Sequence, residues 1–167
     1  MNIRIPKRLT IETVYGCNAR CTMCPIDYPA ERKKQIMTTK VYKYIIDSMA
    51  EYTNEISMLD LFGLGEPLLD PQLFSRIEYA KSKGFKSIGI STNAHLLTDT
   101  RQKLLFDSGI DTIIFSIDGI NKETHEGIRK RVNFDRVVNN CLNTIRMRDK
   151  YGLNVKFVVR FKIGRAH

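Results

Sequence analysis

Three cysteines, Cys17, Cys21 and Cys24, lie within one short segment and have the spacing C-x3-C-x2-C. Only the thiolate form of cysteine binds a metal, so three thiols this close together suggest metal chemistry. A cluster of four irons and four sulfides is commonly held by four thiolates, whereas this segment offers three. The spacing therefore predicts a cluster with one iron open to another ligand, as a reactive cluster requires.

Two other interpretations of the cysteines stay open, a zinc site and a loop of reduced thiols. A structural zinc site normally takes four protein ligands, and no fourth cysteine or histidine is close in the sequence. His95 and His125 lie far along the chain, and we expect them to be ordinary surface or loop histidines. Cys141 shares an apolar stripe of helical spacing with Val137 and Leu142, which predicts a place in the core.

Length and charge narrow the class of protein. A chain of 167 residues favours a single domain. It has no apolar run of about 18 residues and no apolar secretory segment at its start, so we expect a cytoplasmic protein without a membrane partner. The 27 Lys and Arg against 18 Asp and Glu give a net charge of +9. Since the basic residues are dispersed, with short clusters at 32–34 and 129–131, a solvated basic surface is favoured over a nucleic-acid partner.

The chain alternates β-rich runs with amphipathic stretches, which predicts an α/β fold with a parallel sheet of βα units. Five strands are predicted, at residues 9–15, 56–62, 87–91, 112–117 and 155–161. The first predicted helix carries Val41, Ile45 and Met49 one turn apart. Predicted helix caps are Thr38 or Thr39, Asp70, Thr98 and Asn133. Three helices are expected to end near a glycine that an apolar residue follows, namely Gly84, Gly109 and Gly152.

Polar and glycine residues follow the predicted strands at the points where they end. Right-handed crossovers bring the carboxyl ends of parallel strands to one rim, where α/β folds bind ligands. We therefore expect the residues after the first four strands to face one cleft. Besides the cysteines, the candidate residues at these strand ends are Gly65, Glu66, Asn93, Ser116 and Asp118.

With the cysteine loop after the first strand and the glycine-rich segment 63–67 after the second, the chain resembles the radical S-adenosylmethionine (SAM) superfamily over roughly residues 8–161. Segment 115–119 and Arg129 are similar to the subgroup with a C-terminal SPASM or twitch extension, which includes peptide-modifying and sulfatase-maturing enzymes. The resemblance implies a partial (β/α)6 TIM-like barrel of about four βα units plus a fifth strand, spanning residues 1–162.

The resemblance also implies a reaction. Cys17, Cys21 and Cys24 would ligate a [4Fe-4S] cluster, and the amino and carboxylate groups of SAM would bind its open iron. Reductive cleavage would then give a 5′-deoxyadenosyl radical that abstracts hydrogen from a peptide or small-molecule precursor. The implied partner is an external one-electron reductant of the flavodoxin or ferredoxin type.

Several side chains are implied as contacts of SAM. Glu66, beside Gly65, would accept from the ammonium group, although Leu64 stands where the family usually has another glycine. Met23 occupies a position beside the adenine that is often aromatic in the family, with core packing as the alternative.

The ends of the later strands supply the other implied contacts. Asn93, Ser116 and Asp118 are candidates for the ribose hydroxyls and the carboxylate, and Arg129 for a salt bridge to that carboxylate. Each is alternatively a turn or cap residue. Arg160, on the fifth strand, is a further candidate.

The last residues of the sequence depart from the family pattern. The family core usually has six βα units, whereas this chain stops after its fifth predicted strand. Residues 163–167 break the strand pattern and match the translation of a sequencing-adapter read-through, so we expect a non-native tail on a truncated reading frame. Alternatives to the main hypothesis are a nucleic-acid-modifying enzyme of the same superfamily, a non-catalytic metal or iron–sulfur module, and an inactive fragment.

Overall fold

A computed structural model of the protein describes residues 4–27 and 33–161. Within those ranges the chain forms nine strands and five α-helices. The strands are β1 (Arg8–Thr10), β2 (Val14–Tyr15), β3 (Arg20–Cys21), β4 (Gln35–Ile36), β5 (Met58–Asp60), β6 (Ile88–Thr92), β7 (Thr112–Ser116), β8 (Arg129–Lys130) and β9 (Lys156–Arg160). The helices are α1 (Thr39–Met49), α2 (Leu73–Ser82), α3 (Asp99–Asp107), α4 (Lys122–Ile128) and α5 (Phe134–Lys150). Arg32 and the tail expected at 163–167 lie outside the described residues.

A five-stranded sheet forms the centre of the fold, in the order β1-β5-β6-β7-β9, and each neighbouring pair is parallel. Helices separate successive strands of this sheet along the chain, with α4 and α5 both between β7 and β9. The predicted α/β class, with four βα units and a fifth strand in a parallel sheet, is confirmed. The carboxyl ends of all five strands therefore lie along one edge.

The first predicted strand, 9–15, is divided in the structure. β1 joins the parallel sheet, whereas β2 pairs antiparallel with β4. The main chain changes partner between them, because Ile11 N donates to Asp60 O while Thr13 O accepts from Met37 N. Because the chain leaves the parallel sheet after β1, the cysteine segment that follows β2 lies above the carboxyl ends of the strands.

Helix α4 was not predicted. It has seven residues and one buried side chain, His125, so it lacks the apolar stripe by which longer helices are recognised. His125 is fully buried, which makes its prediction as a surface or loop histidine wrong. Its Nδ1 accepts from Asp118 N at 3.4 Å, and its ring lies 5.3 Å from the ring of Phe134. Burial lowers the pKa of His125, so the ring is a neutral packing element.

Two predicted helix caps are confirmed. Thr38 Oγ1 accepts from Val41 N at 3.3 Å, and Asn133 Oδ1 accepts from Arg136 N at 2.9 Å. Thr98 precedes α3 as predicted, but its side chain makes no capping hydrogen bond.

The predicted cap at Asp70 is wrong, because α2 begins only at Leu73. Asp70 instead accepts from Gln72 N at 2.9 Å and forms a buried ion pair with Arg76 at 2.8 Å. Arg76 also donates to the carbonyl oxygen of Met37. This pair fixes the segment between β5 and α2 against the entry to α1.

The core lies between the sheet and the helices that cover it. Fully buried side chains come from strands and helices alike, including Leu59, Ile90, Ile113, Ile77, Leu105 and Val137. Cys141 is buried there as predicted, and burial raises the pKa of its thiol to about 12. The apolar stripes predicted for the first and last helices are partly wrong, because Val41 and Leu142 are exposed and α1 instead buries Tyr42 and Ile46.

No helix in the described part of the chain has the length and hydropathy needed to cross a bilayer.

The three predicted helix-ending glycines, Gly84, Gly109 and Gly152, have φ angles of 93°, 82° and 60°. Alanine pays roughly 1–2 kcal/mol for this left-handed conformation. Gly152→Ala is therefore expected to lower the free energy of unfolding by about that amount, although the added methyl group meets no atom within 4 Å.

Gly127 provides the matched control, because it lies within α4 and is equally uncrowded. Gly127→Ala is expected to raise the free energy of unfolding by about 0.5–1 kcal/mol. Urea unfolding measures both changes. Shifts of the same sign in the two variants would contradict the assigned backbone conformations.

Candidate functional site

A cavity of about 210 Å³ opens at the carboxyl edge of the sheet. It brings together nine of the ten predicted site residues: Cys17, Cys21, Met23, Cys24, Gly65, Glu66, Asn93, Ser116 and Arg129. Arg160 and Phe62 also line it. Asp118 is the exception, since it lies behind Arg129 rather than on the cavity wall.

The cysteine loop runs from the end of β2 through β3. Its three cysteines are half-buried, and Cys24 N donates to Cys21 O at 3.0 Å, which curls the loop back on itself. Ala19 N lies 3.4 Å from Cys17 Sγ as a weak donor. Burial raises the pKa of the Cys17 thiol to about 11 and also raises that of Cys21. Burial favours the neutral thiol, whereas the positive charge of a bound metal centre would favour the thiolate.

A two-stranded ladder ties this loop to a segment more than a hundred residues away. β3 pairs antiparallel with β8, placing Cys21 opposite Arg129, and Thr22 N donates to Ile128 O at 2.9 Å. Arg129 Nη1 donates to Cys21 Sγ at 3.6 Å, and Arg129 Nη2 lies 2.7 Å from Asp118 Oδ2. Arg129 is thus held between a buried carboxylate and a cysteine.

Glu66 is 3% exposed and borders the cavity. Its carboxylate accepts from Thr92 Oγ1 at 2.6 Å, Asn93 N at 2.8 Å and Leu68 N at 3.2 Å. Burial raises the pKa of Glu66, whereas these donors act in the opposite direction by stabilising the charged form. Three donors fix the orientation of the carboxylate and leave part of its acceptor capacity for a ligand.

Gly65 lies directly against the backbone below the cysteine loop. A Cβ at this position would be 2.9 Å from Gly16 O and would overlap Val14 O. Glu66 N also donates to Gly16 O at 2.8 Å. The close approach of the two chain segments therefore requires glycine at position 65. Leu64, the departure from the family pattern, is 46% exposed at the cavity rim.

Asn93 joins the third strand end to the cysteine loop. Its Nδ2 donates to Asn18 Oδ1 at 3.0 Å and lies 3.8 Å from Cys17 Sγ, while its Oδ1 accepts from His95 N at 3.0 Å. Asn18 also contacts His95 Nδ1 at 3.4 Å. Asn18, Thr92 and His95 were not among the predicted site residues, and His95 was expected to be an ordinary surface or loop histidine. Their positions inside the motif and next to Asn93 were the available signals.

The opposite wall of the cavity is polar and basic. Ser116 Oγ lies 3.2 Å from Ser91 Oγ, and Arg160 is paired with Ser116 in the register of β7 and β9. The guanidinium of Arg160 lies 5.8 Å from the ring centroid of Phe62. Arg129 Nε is buried and has no hydrogen-bond partner among the described residues, so at least one of the five N–H donors of the arginine is unpaired there.

The donor set decides which metal group fits. In the described ranges no three His, Cys, Asp or Glu side chains converge closely enough to hold a single metal ion. A [4Fe-4S] cluster gives each thiolate its own iron and so takes more widely spaced ligands. Three thiols on one cavity, with Gly65 allowing close approach and Glu66 and Arg129 beside them, fit such a cluster and a charged ligand next to it.

Comparison with known proteins agrees with this geometry. A family model described as the radical SAM superfamily matches residues 11–158. The chain is 37% identical over 112 residues to the tungsten-containing aldehyde ferredoxin oxidoreductase cofactor-modifying protein of Pyrococcus furiosus, covering 67% of this chain and 31% of that protein. It is 32% identical over 124 residues to the AdoMet-dependent heme synthase of Methanosarcina barkeri, covering 74% of this chain and 34% of that protein.

The chain thus spans about a third of the length of these relatives. Among solved structures, Streptococcus suis SuiB bound to S-adenosylmethionine superposes with a TM-score of 0.73 at 19% identity, covering 95% of this chain and 35% of that one. At this level of identity the superposition shows a shared fold. The expected TIM-like α/β architecture is therefore supported by both comparisons and coordinates.

Proposed function

Because the chain belongs to the radical SAM superfamily, we propose that it is a radical SAM enzyme acting on a small biosynthetic precursor or a peptide. The observation that carries the proposal is the single cavity in which Cys17, Cys21 and Cys24 meet Glu66 and Arg129. The superfamily uses a [4Fe-4S] cluster and SAM. Together these groups, when bound, supply one-electron cleavage of a sulfonium C–S bond and hence a carbon radical.

The chain's own residues bind and orient these groups. Cys17, Cys21 and Cys24 would hold the cluster as thiolates. Glu66, fixed by the donors at the end of β6, would accept from the SAM amino group in a site removed from water. Arg129, which lines the cavity, would present an N–H that neither Cys21 nor Asp118 uses to the SAM carboxylate.

The other predicted contacts take positions consistent with supporting roles. Met23 is 38% exposed at the rim, where it would pack against the adenine. Ser116 and Asn93 would face the ribose from the ends of β7 and β6. Asp118 would act through Arg129, because its carboxylate is buried behind the guanidinium.

The relatives' names support the substrate class. Three of these names describe chemistry on small biosynthetic molecules, namely cofactor-modifying protein, heme synthase and GTP 3′,8-cyclase. A further solved neighbour is SuiB bound to its precursor peptide SuiA. We therefore propose a biosynthetic precursor as the substrate. We further propose that the protein works in a reducing cytoplasm and receives its electron from an external one-electron reductant.

A net charge of +9 supports nucleic acid as the second candidate substrate, which salt-dependent retention of RNA would reveal.

The proposal predicts that the anaerobically reconstituted 167-residue chain forms 5′-deoxyadenosine when supplied with dithionite and SAM. Product is measured by mass spectrometry together with iron and sulfide content. Cys17→Ala, Cys21→Ala and Cys24→Ala are each expected to abolish the product, because each removes a cluster ligand.

Cys141→Ala is the matched control, because Cys141 lies in the core away from the cavity. This variant is expected to bind iron and form product like the parent chain. Product that persists in the three loop variants, or a loaded parent chain that forms none, would overturn the proposal.

A further inference from the structure

The ladder of β3 and β8 has two chemically different faces. Cys21 and Arg129 are opposite each other and both line the cavity. Arg20 and Lys130 form the next pair in the register. Since successive side chains of a strand point to opposite faces, Arg20 and Lys130 lie on the outer face, directly behind the cysteine.

This outer pair places two positive charges opposite each other. Like charges in cross-strand positions are destabilising by roughly 0.2–1 kcal/mol. Arg20 Nη1 donates to Cys17 O at 3.1 Å and to Ala19 O at 2.9 Å, which holds the guanidinium at the base of the cysteine loop. Lys130 is exposed, and within the described ranges it takes part in no ion pair.

The positive charge continues along the other flank of the loop. Lys34 is exposed and borders a groove shared with Gly16 and Cys17. The sequence contains no Asp or Glu at 13–26, 33–36 or 127–134. The nearby carboxylate of Asp118 is buried and paired with Arg129. The three segments that carry Arg20, Lys34 and Lys130 therefore contain basic residues and no acidic ones.

Resting on the proposed function, we propose that the outer face of the β3–β8 ladder, with Lys34 at its margin, is the docking surface for an acidic one-electron carrier protein. The carrier would give up one electron, and the metal centre that Cys17, Cys21 and Cys24 would hold would accept it. Thr22, Met23 and Pro25 are exposed, so the loop itself reaches the surface beside this face. Complementary charge accelerates such encounters and makes them sensitive to salt.

The test is the charge reversal Lys130→Glu. It converts a like-charge pair with Arg20 into an opposite-charge pair, so the fold is expected to be at least as stable as before. Lys156→Glu is the matched control, because Lys156 is an exposed strand residue at the amino end of β9, the opposite edge of the sheet. Stopped-flow absorbance follows reduction of the reconstituted protein by photoreduced flavodoxin at low salt.

Lys130→Glu is expected to slow this reduction at least tenfold, and Lys156→Glu to leave the rate unchanged. Product formation driven by saturating dithionite should be equal in all three proteins, which separates a docking defect from a failed radical reaction. A Lys130→Glu rate equal to that of the parent chain would overturn the docking surface while leaving the proposed function intact. The docking surface would also be overturned if Lys130→Glu weakened RNA retention and left the rate of reduction by flavodoxin unchanged. The face would then be assigned to nucleic acid.

Discussion

Replacing Gly65 by alanine is expected to remove most of the iron from the reconstituted protein and to lower the free energy of unfolding by about 1–3 kcal/mol. The new methyl group would overlap the carbonyl oxygen of Val14 and approach that of Gly16 to 2.9 Å. Both contacts are with backbone, which cannot rotate away as a side chain can. The strand that leads into Cys17 would have to move, and the cysteine would move with it.

Gly16→Ala tests whether any added methyl group near the cysteine loop has this effect. A Cβ at position 16 would lie 3.9 Å from the Cβ of Lys34, which is ordinary contact distance. This variant is expected to keep its iron and its stability. Iron and sulfide analysis and urea unfolding supply the two measurements. Full iron content in Gly65→Ala would contradict the close approach that we assign to this glycine.

The second large effect is expected at Arg129, whose side chain is 13% exposed. Arg129→Met would remove the guanidinium that pairs with the buried carboxylate of Asp118. Breaking a buried ion pair in this way costs about 3–5 kcal/mol of unfolding free energy. The same substitution removes the hydrogen bond to Cys21 Sγ, and since such bonds stabilise the more reduced cluster, its midpoint potential should fall.

A double variant separates these two consequences. Arg129→Met with Asp118→Asn removes both charges, so most of the lost stability should return while the midpoint potential stays low. Urea unfolding and a redox titration followed by electron paramagnetic resonance measure the two quantities. If Arg129→Met proved as stable as the double variant, the Asp118–Arg129 pair would not be the anchor that the geometry indicates.

Topology made part of this site predictable from the sequence. Glu66 and Asn93 follow β5 and β6, and Ser116 is the last residue of β7. In a parallel sheet the carboxyl ends of those strands share one edge. Their convergence on the cavity is therefore a consequence of the βα pattern. The left-handed conformation of Gly152 could likewise be predicted from the sequence, because a helix-ending glycine followed by an apolar residue is a local signal.

The parts that could not be predicted depend on pairing across long sequence separations. β3 and β8 have two residues each, too few for a β period, and their register alone places Arg129 against Cys21. The burial of His125 likewise follows from the packing of the short helix α4 against Phe134. Asp118 was expected at the cavity, whereas its pairing with Arg129 withdraws it from the surface.

The most direct test of the central claim is Mössbauer spectroscopy of the chain reconstituted with iron-57, before and after addition of SAM. Three cysteine ligands and an open iron predict a cluster spectrum in which a single iron site changes when SAM binds, while the cysteine-ligated sites stay the same. The Cys141→Ala variant should give the same result. A spectrum in which no site responds to SAM, or a protein that takes up zinc and no iron–sulfur cluster, would contradict the account.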